Sequence, residues 1–365
     1  MTSETTFTAG HLLDVLFDRG ASDLLLSVGA PPMLRIDGAL AGLEMEPLTA
    51  EDTDRLAREL MSAPQRLTFA DRHTADFSFE WHRCGRVRGN AFRQRGTTAI
   101  ALRAIPTHIP TFEEIRMPRA VARLVKQPHG LILITGPTGC GKSTTQASII
   151  DAINRDRSLH IITIEDPIEY VHGNHAALVE QREIGQDAPS FAEALRSTLR
   201  EDPDVVLVGE MRDLESIAIA LTIAETGHLV IGTLHTNDAA QAVHRIVDVF
   251  PAGQQQQIRT QLASTLSCVV HQELLPRTGG GRVAAFEVMV ATAAVRNLIR
   301  ENKARQLRNT MITSSQDGMC TLETSLSALV LEGLVTYDDA VGRSLYPHEI
   351  TPPGTLPLMA ASKGA

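Results

Sequence analysis

The stretch "GLILITGPTGCGKSTT", residues 130–145, constrains this chain more than any other. An apolar run gives way to a turn spaced by glycines, and the turn opens into helix-forming residues. Gly136, Gly141, Lys142 and Ser143 complete the pattern G-x-x-x-x-G-K-[ST] in the strand–turn–helix setting that it requires. Glycines let backbone N–H groups converge on a phosphate, and the helix N-terminus adds a favourable dipole. The expected phosphate-binding set is therefore Gly136, Pro137, Thr138, Gly139, Cys140, Gly141, Lys142, Ser143 and Thr144. Lys142 is expected to reach the β- and γ-phosphates of ATP, and the Ser143 hydroxyl to ligate Mg²⁺. A glycine-rich turn without ligand is the plain alternative. Cys140 reads as a small loop residue, with a redox-active thiol near a helix N-terminus as the other possibility.

The surroundings of this loop set the fold class. "GLILIT", "HIITIED", "DVVLVGE" and "HLVIGTLHT" are short apolar runs rich in Val and Ile, separated by helix-length segments. That alternation predicts an α/β domain with a mostly parallel sheet covered on both faces, over residues 119–345. Residues 1–112 predict a smaller α+β domain. In it, "TAGHLLDVLFDRG" and "TAEDTDRLARELM" are spaced as helices, and "GRVRGNAFRQRG" and "TTAIALRAI" as paired strands. The proline-rich stretch "PTHIPTFEEIRMP" reads as a connection, with residues 113–118 as the interdomain linker. Residues 346–365 read as a disordered tail.

A phosphate loop needs an acid from a second strand. "DVVLVGEMRD" ends an apolar run at Glu210, the expected metal-coordinating acid. "IEDPIEY" places Glu165, Asp166 and Glu169 after another strand, at the sheet edge where ligands bind. One of them could polarise an attacking water, or all three could form a solvated acidic turn. His228 and His235 flank "LVIGTL". Sensing of the γ-phosphate suits His235, while His228 is equally well read as structural.

Composition narrows the partners. Lys plus Arg number 34 against 43 Asp plus Glu, a net charge of -9, which argues against a general nucleic-acid binder. Cys84, Cys140, Cys268 and Cys320 form no C-x-x-C pair, as suits a reducing cytosol. No export signal precedes the first helix, and the most apolar long window carries Glu225 and His228.

Four boxes in order, "GPTGCGKSTT", "TIEDPIEY", "DPDVVLVGEMRD" and "GHLVIGTLHT", resemble the secretion-type ATPases that drive type IV pili and type II secretion. The likeness runs from "GASDLLLSVGAPPMLRIDG" to about residue 342. The chain is most similar to the short retraction branch, the twitching-motility ATPases. It lacks the tetracysteine module of the assembly and secretion branches, and "AVRNLIREN" is similar to the retraction branch's signature helix. Read physically, Val295, Leu298 and Ile299 form an apolar stripe, with Arg296, Asn297 and Arg300 facing elsewhere. Leu25 stands in "SDLLL" where the family commonly has His.

The resemblance implies a PAS-like N-terminal domain and a RecA-like ATPase domain, assembled as a homohexamer that spends ATP with Mg²⁺ on force. It implies that Glu169 is the general base and Glu210 the metal acid. It also implies that Arg88, Arg103 and Arg196 approach the nucleotide, the first two from a neighbouring subunit. The implied partners are an inner-membrane pilus platform protein and a paralogous retraction ATPase, with no nucleic acid. The implied place is the cytoplasmic face of the inner membrane, reached only through partners. An assembly or secretion ATPase, and a weakly hydrolysing accessory subunit of the retraction motor, are the alternatives; a nucleic-acid translocase is disfavoured by charge.

Overall fold

A computed structural model of the chain describes residues 7–36, 38–82, 85–106 and 108–354. Cys84 and residues 355–365 of the expected tail lie outside the described residues. Two compact units emerge, Met1–His108 with Glu169–Val171, and Ile109–Ile168 with His172–Ala365.

In the first unit, helices α1 (Ala9–Asp18), α2 (Ala50–Leu60) and α3 (Ala63–Arg72) accompany six strands. The strands are β1 (Asp23–Leu26), β2 (Met33–Ile36), β3 (Ala39–Gly42), β4 (Thr74–Trp81), β5 (Gly85–Gln94) and β6 (Thr97–Ala104). Thr8 caps α1, and Thr49 with Asp52 forms a reciprocal capping box on α2. The sheet runs β3-β2-β1-β6-β5-β4, and these pairings are antiparallel. Alternation sends Leu24, Leu34, Val87, Ile100 and Leu102 to one face, where Leu12, Leu16 and Leu56 of the helices close the core. The opposite face carries charge. Asp23 pairs in register with Arg35 and Arg103, and Arg103 with Arg88. Sequence pattern gave no sign of α3, because Phe69 is its one buried residue.

The second unit holds a seven-stranded sheet of β7 (Gly130–Thr135), β8 (His160–Glu165), β9 (Leu178–Glu183), β10 (Val205–Val208), β11 (Leu229–Leu234), β12 (Leu266–Pro276) and β13 (Arg282–Val290). Its order is β13-β12-β7-β11-β10-β8-β9, parallel throughout except for the antiparallel edge strand β13. The expected α/β architecture is therefore present. Its continuous apolar runs resolve by alternation into two cores. Leu131, Leu133, Ile162, Val206 and Val230 face one way, and Ile132, Ile134, Ile161, Val205 and Leu229 the other.

Its helices are α4 (Arg119–Leu124), α5 (Lys142–Asp156), α6 (Phe191–Thr198), α7 (Leu214–Glu225), α8 (Ala239–Asp248), α9 (Ala252–Thr265), α10 (Ala293–Arg300), α11 (Leu307–Thr313), α12 (Leu322–Leu331) and α13 (Tyr337–Val341). Among the described residues, no helix is long and apolar enough to cross a membrane.

Two local findings differ from the sequence reading. The stretch read as linker is anchored: Phe112, Ile115 and Met117 pack into the core beside α5, and Ser148 Oγ donates to the Pro110 carbonyl at 2.6 Å. The start of the expected tail is also ordered. Ile350 is 2% exposed, and Arg308 binds Glu349 at 2.8 Å. Isolated apolar residues in a proline-rich segment carry no periodicity, so neither contact was legible.

Candidate nucleotide-binding site

Strand β7 ends at Thr135, and the loop 136–141 leads directly into α5. Gly136, Gly139 and Gly141 all have positive φ, at 143°, 80° and 92°, where a side chain is strained. Gly136 meets a second constraint. A Cβ there would collide with the Gln272 carbonyl oxygen and lie 2.6 Å from Cys140 Sγ. The loop therefore lies against β12, and Gln272 Nε2 donates to the Cys140 carbonyl at 2.6 Å. Gln272 is 1% exposed and its Oε1 has no partner, so it is a loop support that spends a buried acceptor.

Lys142 folds back over this loop, donating to the Gly136 carbonyl at 2.8 Å and to the Pro137 carbonyl at 2.9 Å. Burial lowers its pKa, while the charges of Cys140, Glu210 and Glu273 oppose the shift. Cys140 is 3% exposed. Burial pushes its thiol up in spite of Lys142, the reverse of what a reactive thiol requires.

Glu210 stands two residues past β10. Gly209 N–H donates to the Ile164 carbonyl at 2.8 Å and Met211 N–H to that of Thr233 at 3.0 Å, so the turn is tied to its neighbouring strands. Burial pushes the Glu210 carboxyl up, but Arg212 and His235 outweigh it and hold it below the usual range. Arg212 Nη2 donates at 2.6 Å and His235 Nε2 lies at 3.3 Å. Arg212 also feels the charge of Asp166, which links the two acidic boxes electrostatically.

The two histidines separate. His235 meets Glu210, whereas His228 Nδ1 contacts the Ile223 carbonyl at 3.0 Å and Thr226 Oγ1 at 3.1 Å at the end of α7. His228 is structural.

The phosphate loop, Lys142, Ser143, Thr144, Glu210 and His235 thus belong to one unit. Glu165 and Arg196 belong to the same unit but are held by other partners, whereas Glu169, Arg88 and Arg103 fall in the first unit. Glu169 is exposed, in the short segment grouped with the first unit. Glu165 accepts from Thr163 Oγ1 at 2.6 Å and from Gln181 Nε2 at 3.1 Å. Arg196, in the last turn of α6, is ion-paired with Glu215 of α7. On the first unit, Arg103 Nε binds Asp23 Oδ1 at 2.8 Å, and Arg88 is exposed.

Val295 and Ile299 of α10 are buried as their stripe predicts. Arg296 is not a free basic edge. It donates to the Ala263 and Ser264 carbonyls at 2.6 Å, capping the end of α9.

Sequence reading passed over His271, Gln272 and Arg212. The available signal was "HQE" interrupting the apolar run "LSCVV…LLP". What it supports became visible only once β12 was seen beside β7.

The model of the type II/IV secretion system protein family matches residues 111–280. The chain is 48% identical to the type IV pilus retractation ATPase PilT of Pseudomonas aeruginosa, over 93% of this chain and 98% of that protein. It is 39% identical to the type IV pilus ATPase PilU of the same organism, over 91% of this chain and 87% of the other. Among solved structures, the pilus retraction motor PilT with bound ADP superposes with a TM-score of 0.89 at 49% identity. That match covers 94% of this chain and 99% of the other.

Proposed function

The chain belongs to the type II/IV secretion system ATPase family, and from that premise we propose that it is a hexameric motor that hydrolyses ATP to retract type IV pili. One observation carries this reading. A complete phosphate loop, with Glu210 and His235 gathered in the same unit, stands in a chain that is 48% identical to a pilus retractation ATPase along 98% of that protein's length.

In this mechanism Lys142 exchanges the Gly136 and Pro137 carbonyls for the β- and γ-phosphates of ATP. The loop's N–H groups and the α5 dipole receive the remaining phosphate charge. Ser143 and Glu210 would hold Mg²⁺. Their donor set fits, since a hydroxyl beside a carboxylate kept ionised is what a hard, partly hydrated cation takes. When bound, the ion would neutralise charge on the β- and γ-oxygens.

Glu169 takes the proton of the water that attacks the γ-phosphorus, and the bond to the ADP oxygen breaks. His235 reports the change to the 235–238 loop. Arg88 and Arg103 come from a neighbouring subunit. With Arg196, released from Glu215, they stabilise the charge that develops on the transferred group. The two units turn as rigid bodies about their connection. Force passes to an inner-membrane platform protein at the cytoplasmic face.

ATP turnover by the purified hexamer is the test. Lys142→Ala and Glu169→Ala should abolish it, and Arg88→Ala should cut it on the order of 10³-fold. Deletion of the gene should abolish retraction. The 39% likeness to PilU favours a second reading, a weakly hydrolysing accessory subunit. Tight ATP binding without turnover in the unaltered hexamer would select it and sink the motor reading.

A further inference from the structure

Strand β13 carries a carboxylate that the nucleotide chemistry does not use. Glu287 sits mid-strand in "AAFEVMV" and is 6% exposed, among residues that pack as core. A buried carboxylate costs several kcal/mol unless charge or hydrogen bonds compensate. Among the described residues no cation pairs with Glu287. Its compensation is backbone instead. Oε1 accepts the N–H of Ala239, the first residue of α8, at 2.8 Å. The N–H of Leu322, the first residue of α12, favours the same charge. Both helices are ten residues long, so two positive dipole ends converge on one carboxylate.

The tether lies close to the nucleotide site on both sides. β11 ends at Leu234, and residues 235–238 lead straight to Ala239. The Glu287 contact therefore fixes the far end of the short loop that presents His235 to Glu210 at 3.3 Å. On β12, the residue directly opposite Glu287 is His271. His271 Nδ1 lies 3.3 Å from Oγ1 of Thr135, the last residue before the phosphate loop, and its buried Nε2 has no partner.

We propose that Glu287 is a positioning residue for hydrolysis: by tethering the start of α8 it sets the 235–238 loop so that His235 meets Glu210. The inference rests on the reading of this loop as the nucleotide sensor. It predicts an effect on turnover with little effect on nucleotide affinity, because the phosphate loop is held separately by Gln272.

The titratable groups facing Glu287 are His271 from β12, which burial keeps neutral by lowering it to about 4, Asp238 ahead of α8 and Glu323 of α12. Glu323 is itself held by Arg308 at 2.9 Å and Ser344 at 2.7 Å. Burial foremost, with Asp238 and Glu323 adding to it, pushes the Glu287 carboxyl up to about 7. The tether gains full charge only as pH rises through that value, and turnover should rise with it.

The test compares the full chain with Glu287→Gln, which keeps an acceptor without charge, and Glu287→Met, which keeps bulk without an acceptor. A fluorescent ATP analogue gives Kd, steady-state assays give kcat from roughly pH 6 to 8.5 around the expected midpoint, and melting reports folding. Glu287→Met should lower kcat about tenfold, as a misplaced group does, with Kd within about twofold. Glu287→Gln should recover most of that loss and lose the limb of the pH profile centred near 7. Three outcomes would overturn the proposal. Glu287→Met could melt earlier yet turn over normally, Kd and kcat could worsen together, or Glu287→Gln could keep the unaltered limb. If Glu287→Met fails to fold, the Glu287→Gln profile alone decides. Absent turnover in the unaltered chain would instead sink the motor reading, and this inference with it.

Discussion

The two sheets of this chain place their charges in opposite ways. In the six-stranded antiparallel sheet one face holds the core of the unit, and the other carries arginines: Arg35 and Arg103 flank Asp23, with Arg88 beyond. In the seven-stranded sheet both faces are buried, and β7, β10 and β11 are apolar from end to end apart from Thr and Gly. A charge in the middle of such a strand has nowhere to find water. Polar chemistry therefore gathers where these strands stop, at Thr135, Glu210 and His235, with Glu165 at the end of β8 and, on β12, the His271–Gln272–Glu273 run that begins level with Thr135. Burial on both faces dictates where a site can be. An open face leaves it to side chains reaching outward, as the exposed Arg88 does. Charges inside a strand come with partners supplied: Arg182 of β9 pairs with Glu201, Glu273 of β12 lies 3.7 Å from Arg343, and Glu287 of β13 takes the Ala239 N–H.

Substituting a glycine in each unit should break this contrast most forcefully. Gly136→Ala forces a side chain onto φ 143° and against the Gln272 carbonyl, which is backbone and cannot turn aside. Strain of about 1–3 kcal/mol in the loop should weaken nucleotide binding about 10- to 100-fold while the fold persists. Gly89→Ala in β5 meets the Phe77 ring and Leu102 Cδ2, the latter at 2.8 Å. It should destabilise the first unit by about 1–3 kcal/mol through overpacking and leave nucleotide affinity intact. Nucleotide titration and melting of both variants check this. Equal losses of affinity would show that the sheets do not divide the work as argued.

The same contrast decides what the sequence disclosed. The phosphate loop was legible because a handful of residues with fixed spacing specify both a backbone path and a ligand. The alternating helices and apolar runs were legible because a strand buried on both faces needs no polar positions, and four such runs imply a parallel sheet. Glu210 was legible as the first acid after an apolar run. Gln272 was not, since it acts on Gly136 and Cys140 from a strand more than 130 residues downstream. The cap that Arg296 places on α9 was hidden for the same reason, whereas the stripe of Val295 and Ile299 on one helix was plain. Local spacing reveals what a residue's own element does with it; contacts across the sheet appear only with topology.

Acid should sharpen the comparison by a smaller amount. His172, His271 and Glu287 all belong to the second unit. Burial lowers both histidines to about 4, so the stability they carry is present above the unfolded value of 6.5 and is lost as pH falls through about 4. Glu287, raised to about 7, runs the other way, its stability complete below 4.5 and lost as pH rises through 7. The two histidine shifts together exceed that of Glu287, so these groups should cost the second unit stability between roughly pH 6.5 and 4, at about 1.4 kcal/mol per unit of net shift, less what Glu273, which burial also raises, offsets. The chain's one tryptophan, Trp81, lies on β4 and reports the first unit. Melts followed by Trp81 fluorescence should move less with acid than melts followed by far-ultraviolet circular dichroism. A larger shift in the Trp81 signal would place the acid-sensitive groups in the wrong unit.

The smallest effect belongs to the arginine row. Arg103→Ala removes an ion pair with Asp23 whose arginine is 65% exposed, worth about 0–1 kcal/mol at such a surface. Arg88 stands directly opposite Arg103. Like charges facing each other across strands destabilise by about 0.2–1 kcal/mol, so Arg88→Ala should leave the melting temperature unchanged or raise it slightly. Urea titrations of both variants measure the difference. If Arg88→Ala destabilised the first unit by more than Arg103→Ala, Arg88 would be holding its own sheet together. The open face would then be a structural surface, and the place of Arg88 in phosphoryl transfer would have to be given up. Unchanged stability leaves the residue free to act outward, on a neighbour's nucleotide.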